Sequence, residues 1–524
     1  MYIEPNTDIR ILHGVPLDNT YEHTLFFTSK TAQASYFSGK TLYLFSNQTY
    51  QRVNKGVIRL RKKADDLYNA NYLMFRNTSY GNKWFYAFIQ SVEFVNNEVS
   101  EVTFEIDVMQ TWFFDYDLKQ CYVEREHTST DNMFEHIEEE NLNAGDEVVC
   151  NAIEDINLST MSLCVLYTKT PEETNYHGKV INGVYTPLRV NAGVSVRVAD
   201  ENNLNAVINA IVSDGQEDRI IAVYQYPSVL GDASTTTPYS ASRSITVNNT
   251  TLDNYTPRNN KLYNYPYNFM LVSNNEGQTA TYRYENWDSI DANNRVSFYI
   301  KGVFVPTPCI LLYPYHYRGI TNDYDSGLTM ADFPQCAWVG DAFTKWWAEN
   351  KNTVVTSGIA SVLGSALTIG AMAVNPAVGV GSALGQIGIA SAGLSTASGI
   401  ASTIAKTNDL KNTPPQIHGQ TQTNSLNAGI GRVMYRFYKM SIKRHYAKII
   451  DDYFTRYGYA VKRTKVPNRA VRPHWTYTKT LGCTISGNVP CDDLKKICSI
   501  YDNGITFWKN GGEVGDYTLN NAPV

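Results

Sequence analysis

The run EREHTSTDNMFEHIEEE, from Glu124 to Glu140, sets His127 and His136 among five or more carboxylates. Imidazole and carboxylate are ligands a divalent cation takes, but a metal site needs them at fixed spacing, as in HExxH. That spacing is missing, so the composition predicts a solvated acidic loop and no metal. Eight cysteines (Cys121, Cys150, Cys164, Cys309, Cys336, Cys483, Cys491 and Cys498) lie scattered without a CxxC pair. They read as reduced, small apolar residues of a chain folded in a cytoplasm. The sequence has no GxSxG elbow, no P-loop and no GxGxxG ahead of a helix. No catalytic residue and no cofactor is therefore assigned, and the expectation is a protein that is not an enzyme.

A second chemistry is electrostatic. Between Arg432 and Arg472 there are twelve Lys or Arg against Asp451 and Asp452 only, in a chain whose formal net charge is −5. Basic residues interleaved with aromatics suit nucleic acid or lipid phosphates. They equally suit a charged helix face paired with acidic neighbours, which is the favoured reading because no nucleic-acid module signature accompanies them.

The third is hydrophobic. From Asn352 to Ala405 there is no Asp, Glu, Lys, Arg, His or aromatic residue. Asn375-Pro376 splits the run, and proline there stops one helix and opens a turn. Each half is long enough to cross a hydrocarbon core, which takes about 20 residues. The candidate membrane-inserting residues are Val354, Val355, Ile359, Val362, Leu363, Leu367, Ile369, Met372, Val374, Pro376, Val378, Val380, Leu384, Ile387, Ile389, Leu394, Ile400 and Ile404. Small residues recur at helical spacing: Ser357, Ser361, Gly364, Thr368 and Ala371, then Gly381, Gly385, Gly388, Ala392, Ser395, Gly399 and Ser402. Such a seam lets helix backbones approach closely.

Eight Val, Ile or Leu in the first half supply only about −2 to −5 kcal/mol toward insertion, at roughly −0.3 to −0.6 each. One copy is marginal, which suits a segment that stays sheltered in one state and acts through several copies in another. Two readings stand beside it: a Gly/Ala-rich helical hairpin buried at the centre of an oligomer, and a permanent anchor. The anchor fits poorly with flanks that read as β domains.

The elements that must position these features are mostly strands. Tyr, with 37 copies, and abundant Thr and Asn favour half-buried strands and turns. The clearest piece is a hairpin from Trp84 to Trp112, turning at Asn96-Asn97. Val102, Phe104, Ile106 and Val108 alternate with Glu101, Thr103, Glu105 and Asp107, giving one buried face and one acidic face. A wet acidic face suits a water-filled lumen or an outer surface, and Glu101, Glu105 and Asp107 are the candidates to line it. Residues 168–261 read as a loop-rich β insertion with strand-like runs such as IIAVYQY. Strands return at YPYNFMLV, NRVSFYIKGVFV and CILLYPY, and DAFTKWWAEN (Asp341 to Asn350) reads as a short helix. YRFYKMSIKRHYAKIIDDYFTRYGY reads as one amphipathic helix, with Tyr446, Ile449, Ile450, Tyr453 and Phe454 on its apolar face and Gly458 as C-cap. HWTYTKT reads as a strand.

Apolar residues make up 43% of the 524 and charged residues 18%, below the roughly 25% of average soluble domains. Two to four domains with sizeable cores are expected. The start, MYIEPNTDIR, has neither a basic nor an apolar signal-peptide region.

Three runs carry a resemblance: YGNKWFYAFIQSVEF…VTFEIDVMQTWFFD (Tyr80 to Asp115), VEREH (Val123 to His127), and YFTRYGYAVKRTKVPNRAVR…CTISGNV…IYDNGITFW (Tyr453 to Trp508). They are similar to the tail knob, or distal tail-tube, proteins of small Picovirinae-type podoviruses of Gram-positive hosts. The order of features between them agrees too, although 168–261 departs in sequence. The resemblance implies a mainly β fold of tandem β-barrel tail-tube domains, with a β-rich knob insertion and a long Gly/Ala-rich apolar loop or helical hairpin. It divides the chain into a first tube part (1–167), the knob insertion (168–261), a return segment (262–350), a membrane-active hydrophobic loop (351–424) and a C-terminal tube segment (425–524). It implies a homohexamer joined to the upper tail or collar protein of the virion. Its loops plug the lumen, then enter host cytoplasmic membrane lipid and form a channel through which double-stranded DNA passes without sequence-specific binding. The alternative from the residues alone is a tail-tip cell-wall hydrolase or receptor-binding module whose apolar hairpin is core. A cell-encoded pore-forming toxin is a third class.

Overall fold

A computed structural model describes residues 6–48, 56–78, 81–168, 220–230, 240–303, 309–331 and 431–523, with short stretches within 180–199, 333–340 and 409–418. Strands dominate these residues, as the Tyr- and Thr-rich composition predicts. The charge-free run Asn352–Ala405, every membrane-inserting and seam position in it, and the helix expected at Asp341–Asn350 lie outside the described residues. Among the described residues no helix is long and apolar enough to cross a membrane.

The predicted hairpin is the centre of a six-stranded antiparallel sheet. Its strands, in spatial order, are Thr41–Gln48, Thr7–His13, Ala70–Asn77, Trp84–Asn96, Val99–Ile106 and Val57–Leu60. Alternation along each strand divides its side chains between two cores. Ile9, Ile11, Leu73, Ala87, Val102 and Phe104 pack together on one face. Leu12, Tyr72, Met74, Tyr86 and Phe88 on the other face meet Phe37, Trp475, Tyr501 and Trp508. The expected register holds through Ile106 and fails after it. Val108 begins the short helix Val108–Trp112, capped by Asp107, so neither residue continues the strand.

A second sheet draws on segments far apart in the chain: His23–Leu25, Ile505–Trp508, Trp475–Leu481, Cys121–Glu126 and Tyr459–Lys465. HWTYTKT is a strand as expected, and His23–Leu25 runs parallel to Ile505–Trp508. A third sheet orders Val148–Asn157, Met434–Ile442, Asn268–Ser273 and Thr279–Tyr282. Two more sheets share its core, through residues such as Tyr226, Phe298, Ile310, Met270 and Phe437. One contains Met161–Thr168 beside Ile220–Pro227; the other contains Ser240–Thr246, Arg295–Val303 and Cys309–Tyr317. Strands inside 168–261 therefore pair with strands on both sides of it: Ile220–Pro227 with Met161–Thr168, and Ser240–Thr246 with Arg295–Val303.

The long amphipathic helix is half right. YRFYKMSI is the strand Met434–Ile442, with Tyr435, Phe437, Lys439 and Ser441 buried at period two. The helix is Arg444–Tyr457, closed by Gly458 at φ 66° as expected. Its buried positions are Ala447, Ile450, Asp451, Phe454 and Thr455, whereas Ile449 is exposed. A buried lysine and a buried serine alternating with Tyr and Phe blur the strand period that apolar residues alone would have marked.

Candidate functional site

The three acidic positions of the first sheet separate once their partners are seen. Glu101 receives Arg59 Nε at 2.7 Å across the neighbouring strand. Glu105 pairs with Lys496 and accepts from Gln90 Nε2 at 2.8 Å. The hydrogen bond from Lys496 is the main reason its carboxyl sits below the usual range. Both remain half-exposed on the acidic face, as the alternation predicts. Asp107 does not share that face. It is 1% exposed, accepts from Gln110 N at 3.0 Å as a helix cap, and accepts from Tyr72 Oη at 2.8 Å. Burial pushes its carboxyl up to about 6, against those hydrogen bonds. A group sealed inside the subunit cannot line a lumen.

Part of the acidic run meets the basic stretch in a buried junction, while Glu135, Glu138 and Glu139 stay exposed as the expected solvated loop. Glu126 is fully buried and takes Lys465, with Asn468 N at 2.9 Å and Asn468 Nδ2 at 3.0 Å. Glu140, its side chain 1% exposed, takes Arg125, Lys261 and the backbone N–H of Ala460. Asp131 accepts from Tyr459 Oη and Asn260 N, and burial pushes its carboxyl up. On the helix, Asp451 is fully buried and accepts from Tyr255 Oη, Arg258 N and Asn259 N and Nδ2. Arg472 donates to the carbonyls of Thr128 and Asn521.

His127 is held as a neutral ring. The Tyr477 N–H donates to its Nδ1 at 2.8 Å, which places the proton on Nε2, 3.2 Å from the Thr455 carbonyl it donates to. Burial, with Arg472 nearby, lowers its pKa to about 3. His136 contacts Thr130 O and lies against the Tyr459 ring.

Part of the basic stretch spends its charge within the subunit, in line with the reading favoured from sequence. Arg436 forks onto Asp155 at 2.8 Å, Lys439 reaches Glu154 at 3.2 Å, and Lys443 pairs with Glu147. Lys448 and Arg456 lie over the rings of Tyr255 and Tyr517. Sequence reasoning missed the receiving side, Tyr255 to Lys261, because nothing local marks a loop that lends its backbone N–H groups to a distant helix. Chemically the junction is closed: its carboxylates are each satisfied by cations or N–H and O–H donors. Among the described residues no group of three or more His, Cys, Asp or Glu is arranged to hold a metal ion. All eight cysteines are free thiols.

Comparison with known proteins agrees over the whole length. A family model described as "Bacillus phage phi29, Tail knob protein gp9, C-terminal domain" matches residues 232–522. One described as "Caudoviral major tail protein N-terminus" matches residues 5–117. The Tail knob protein gp9 of Bacillus phage B103 is 30% identical, covering 98% of each chain; that of Bacillus phage phi29 is 26% identical over the same shares. Among solved structures, the bacteriophage C1 tail knob protein gp12 has the same fold, with a TM-score of 0.59 over 98% of this chain and 99% of that one, at 13% identity.

Proposed function

The chain belongs to the phage tail knob protein family, structural components of the virion tail, and from that premise we propose that it forms a hexameric tube at the tail tip whose apolar loops open the host cytoplasmic membrane. The reading is structural, without catalysis. Six copies enclose a lumen for double-stranded DNA, joined above to the collar protein. The loops, residues 351–424, close that lumen until infection. They then leave it for lipid and together form the channel. Glu101 and Glu105 are the candidates to face the passing DNA, each held by a cation of its own subunit.

The observation that carries this reading is the run Asn352–Ala405, which lacks every ionisable group and carries small residues at helical spacing. In lipid such a run costs nothing for buried charge, and packing along the seam through several copies offsets its modest hydrophobicity. Purified full-length protein is expected to release dye from liposomes. Deleting Thr353 to Ile404 is expected to leave assembly intact and abolish release; undiminished release from the deleted chain removes the mechanism. An end-on ring in electron micrographs tests the hexamer. The competing reading, a wall-binding or wall-cleaving module, predicts peptidoglycan clearing or wall binding with vesicles left intact.

A further inference from the structure

Three of the eight thiols converge at one end of the second sheet. Cys121 opens the strand Cys121–Glu126, and Cys483 follows closely on the strand Trp475–Leu481 beside it. Pairing brackets the two cysteines from both sides. Leu481 stands across from Tyr122, Lys119 N donates to Thr484 O at 2.9 Å, and Ile485 stands across from Leu118. Cys483 is thereby set beside Cys121.

Cys498 arrives from the helix Cys491–Asn503, which packs on the same strand. Asp502 of that helix accepts from Cys483 N at 3.0 Å and from Thr480 Oγ1 at 2.7 Å. Cys498 precedes Asp502 by four residues, so the two share one helix face, with Cβ atoms about 5–6 Å apart. The carboxylate that fixes the Cys483 backbone therefore brings Cys498 next to it. Cys483 has the thiols of both Cys498 and Cys121 as side-chain neighbours. Cys483 and Cys498 are half-buried and open to a small reagent, whereas Cys121 is 5% exposed. Cys491 begins the helix about 10 Å away along its axis, at roughly 1.5 Å per residue.

We propose that Cys483 and Cys498 form a dithiol pair that closes to a disulfide once the chain leaves the reducing cytoplasm, locking the helix Cys491–Asn503 onto the sheet corner at Gly482–Ile485. The oxidant is a low-molecular-weight disulfide. Cys498, as thiolate, attacks one of its sulfurs, forming a mixed disulfide and expelling one thiolate. Cys483 then loses its proton and attacks the Cys498 sulfur, expelling the second. The two cysteines give up two electrons and two protons, and the reagent leaves as two thiols. Burial holds both thiols above the ordinary range, so little thiolate forms near neutral pH and exchange is slow. The pair stays reduced through assembly and closes during the longer life of a released particle.

The test treats full-length protein, purified under dithiothreitol, with oxidised glutathione under native conditions. Remaining thiols are blocked with iodoacetamide and tryptic peptides are mapped by mass. The expected product is Thr480–Lys495 joined to Ile497–Lys509, lighter by two hydrogens than the two free peptides together. Thr480–Lys495 carries both Cys483 and Cys491, so two variants are mapped in parallel, with circular dichroism to check folding. Cys491→Ser should keep the link and Cys483→Ser should lose it. Oxidised wild type is expected to melt about 5 °C above the reduced protein, a gap that Cys483→Ser lacks. Cys483 and Cys498 both alkylated after the oxidant, or glutathione retained on either without a link, overturns the proposal. So does a link that vanishes in Cys491→Ser.

Discussion

Lys261 lies against Glu140, 121 residues away in the chain, with the two side chains 3% and 1% exposed. Arg125 reaches the other oxygen of the same carboxylate. Burial alone lowers the lysine's affinity for its proton and Glu140 restores part of it. Neither cation is tenable there without the acid.

Glu140→Ala strands two buried cations and the Ala460 N–H. It should cost about 3–5 kcal/mol, as breaking buried ion pairs does, read as a lower urea midpoint with little change in slope. Glu140→Leu combined with Lys261→Met should cost clearly less than the two single changes added together, because the pair's desolvation penalty disappears along with its attraction.

Asp107 carries a signature of its own in the pH dependence of stability. Its folded pKa of about 6 lies above the ordinary 3.8, so the folded state holds the proton longer. Stability from this group is full below about 3.8, falls as pH rises toward 6, and is level beyond. Asp107→Asn removes that fall. Relative to wild type, the variant should gain on the order of 2–3 kcal/mol between pH 4 and pH 8, measured by chemical unfolding at the two values.

His127 works in the other direction. Its folded pKa, about 3, lies below the ordinary 6.5, so the unfolded chain binds the proton first. The stabilisation is whole above 6.5 and drains away as pH falls toward 3, by up to about 1.4 kcal/mol per unit. Its window overlaps that of Asp107 with opposite slope, so wild type should look flatter than either variant. His127→Gln keeps an acceptor for Tyr477 N and should leave the Asp107 slope exposed, with stability rising as pH falls from about 6 toward 4.

Gly458 ends the helix Arg444–Tyr457 at φ 66°, and a Cβ there would stand 2.3 Å from the carbonyl oxygen of Glu126. Backbone strain and a backbone clash coincide. Gly458→Ala is expected to cost about 3 kcal/mol and to loosen the Glu126–Lys465 corner beside it. A thermal melt indistinguishable from wild type would refute this.

Much of the fold was legible where chemistry is local. The hairpin at Trp84–Ile106 announced itself because Val102 and Phe104 alternate cleanly with Glu101, Thr103 and Glu105. Gly458 marked a helix end because few other residues take its conformation. The errors share one cause. Asp107, Glu126 and Glu140 are acidic, and acidic residues read as wet unless something hides them; what hides them is Tyr72, Lys465 and Lys261, supplied from elsewhere. Lys439 misled in the same way, buried against Glu154 in a strand whose period it obscured. Burial of a charge is a property of the pairing, and one sequence window holds only half the pair.

The parallel pairing of His23–Leu25 with Ile505–Trp508 bears on how the protein is made. The ribosome delivers the first of these strands almost five hundred residues before the second, so that sheet cannot close during most of translation. Until residue 508 emerges, the Trp475 side of the core has no lid, although the six-stranded sheet can already pair within residues 7–106. Only a chain synthesised through Trp508 can place the strand that joins His23–Leu25 to Trp475–Leu481, so products cut short before it are left without that sheet's central link.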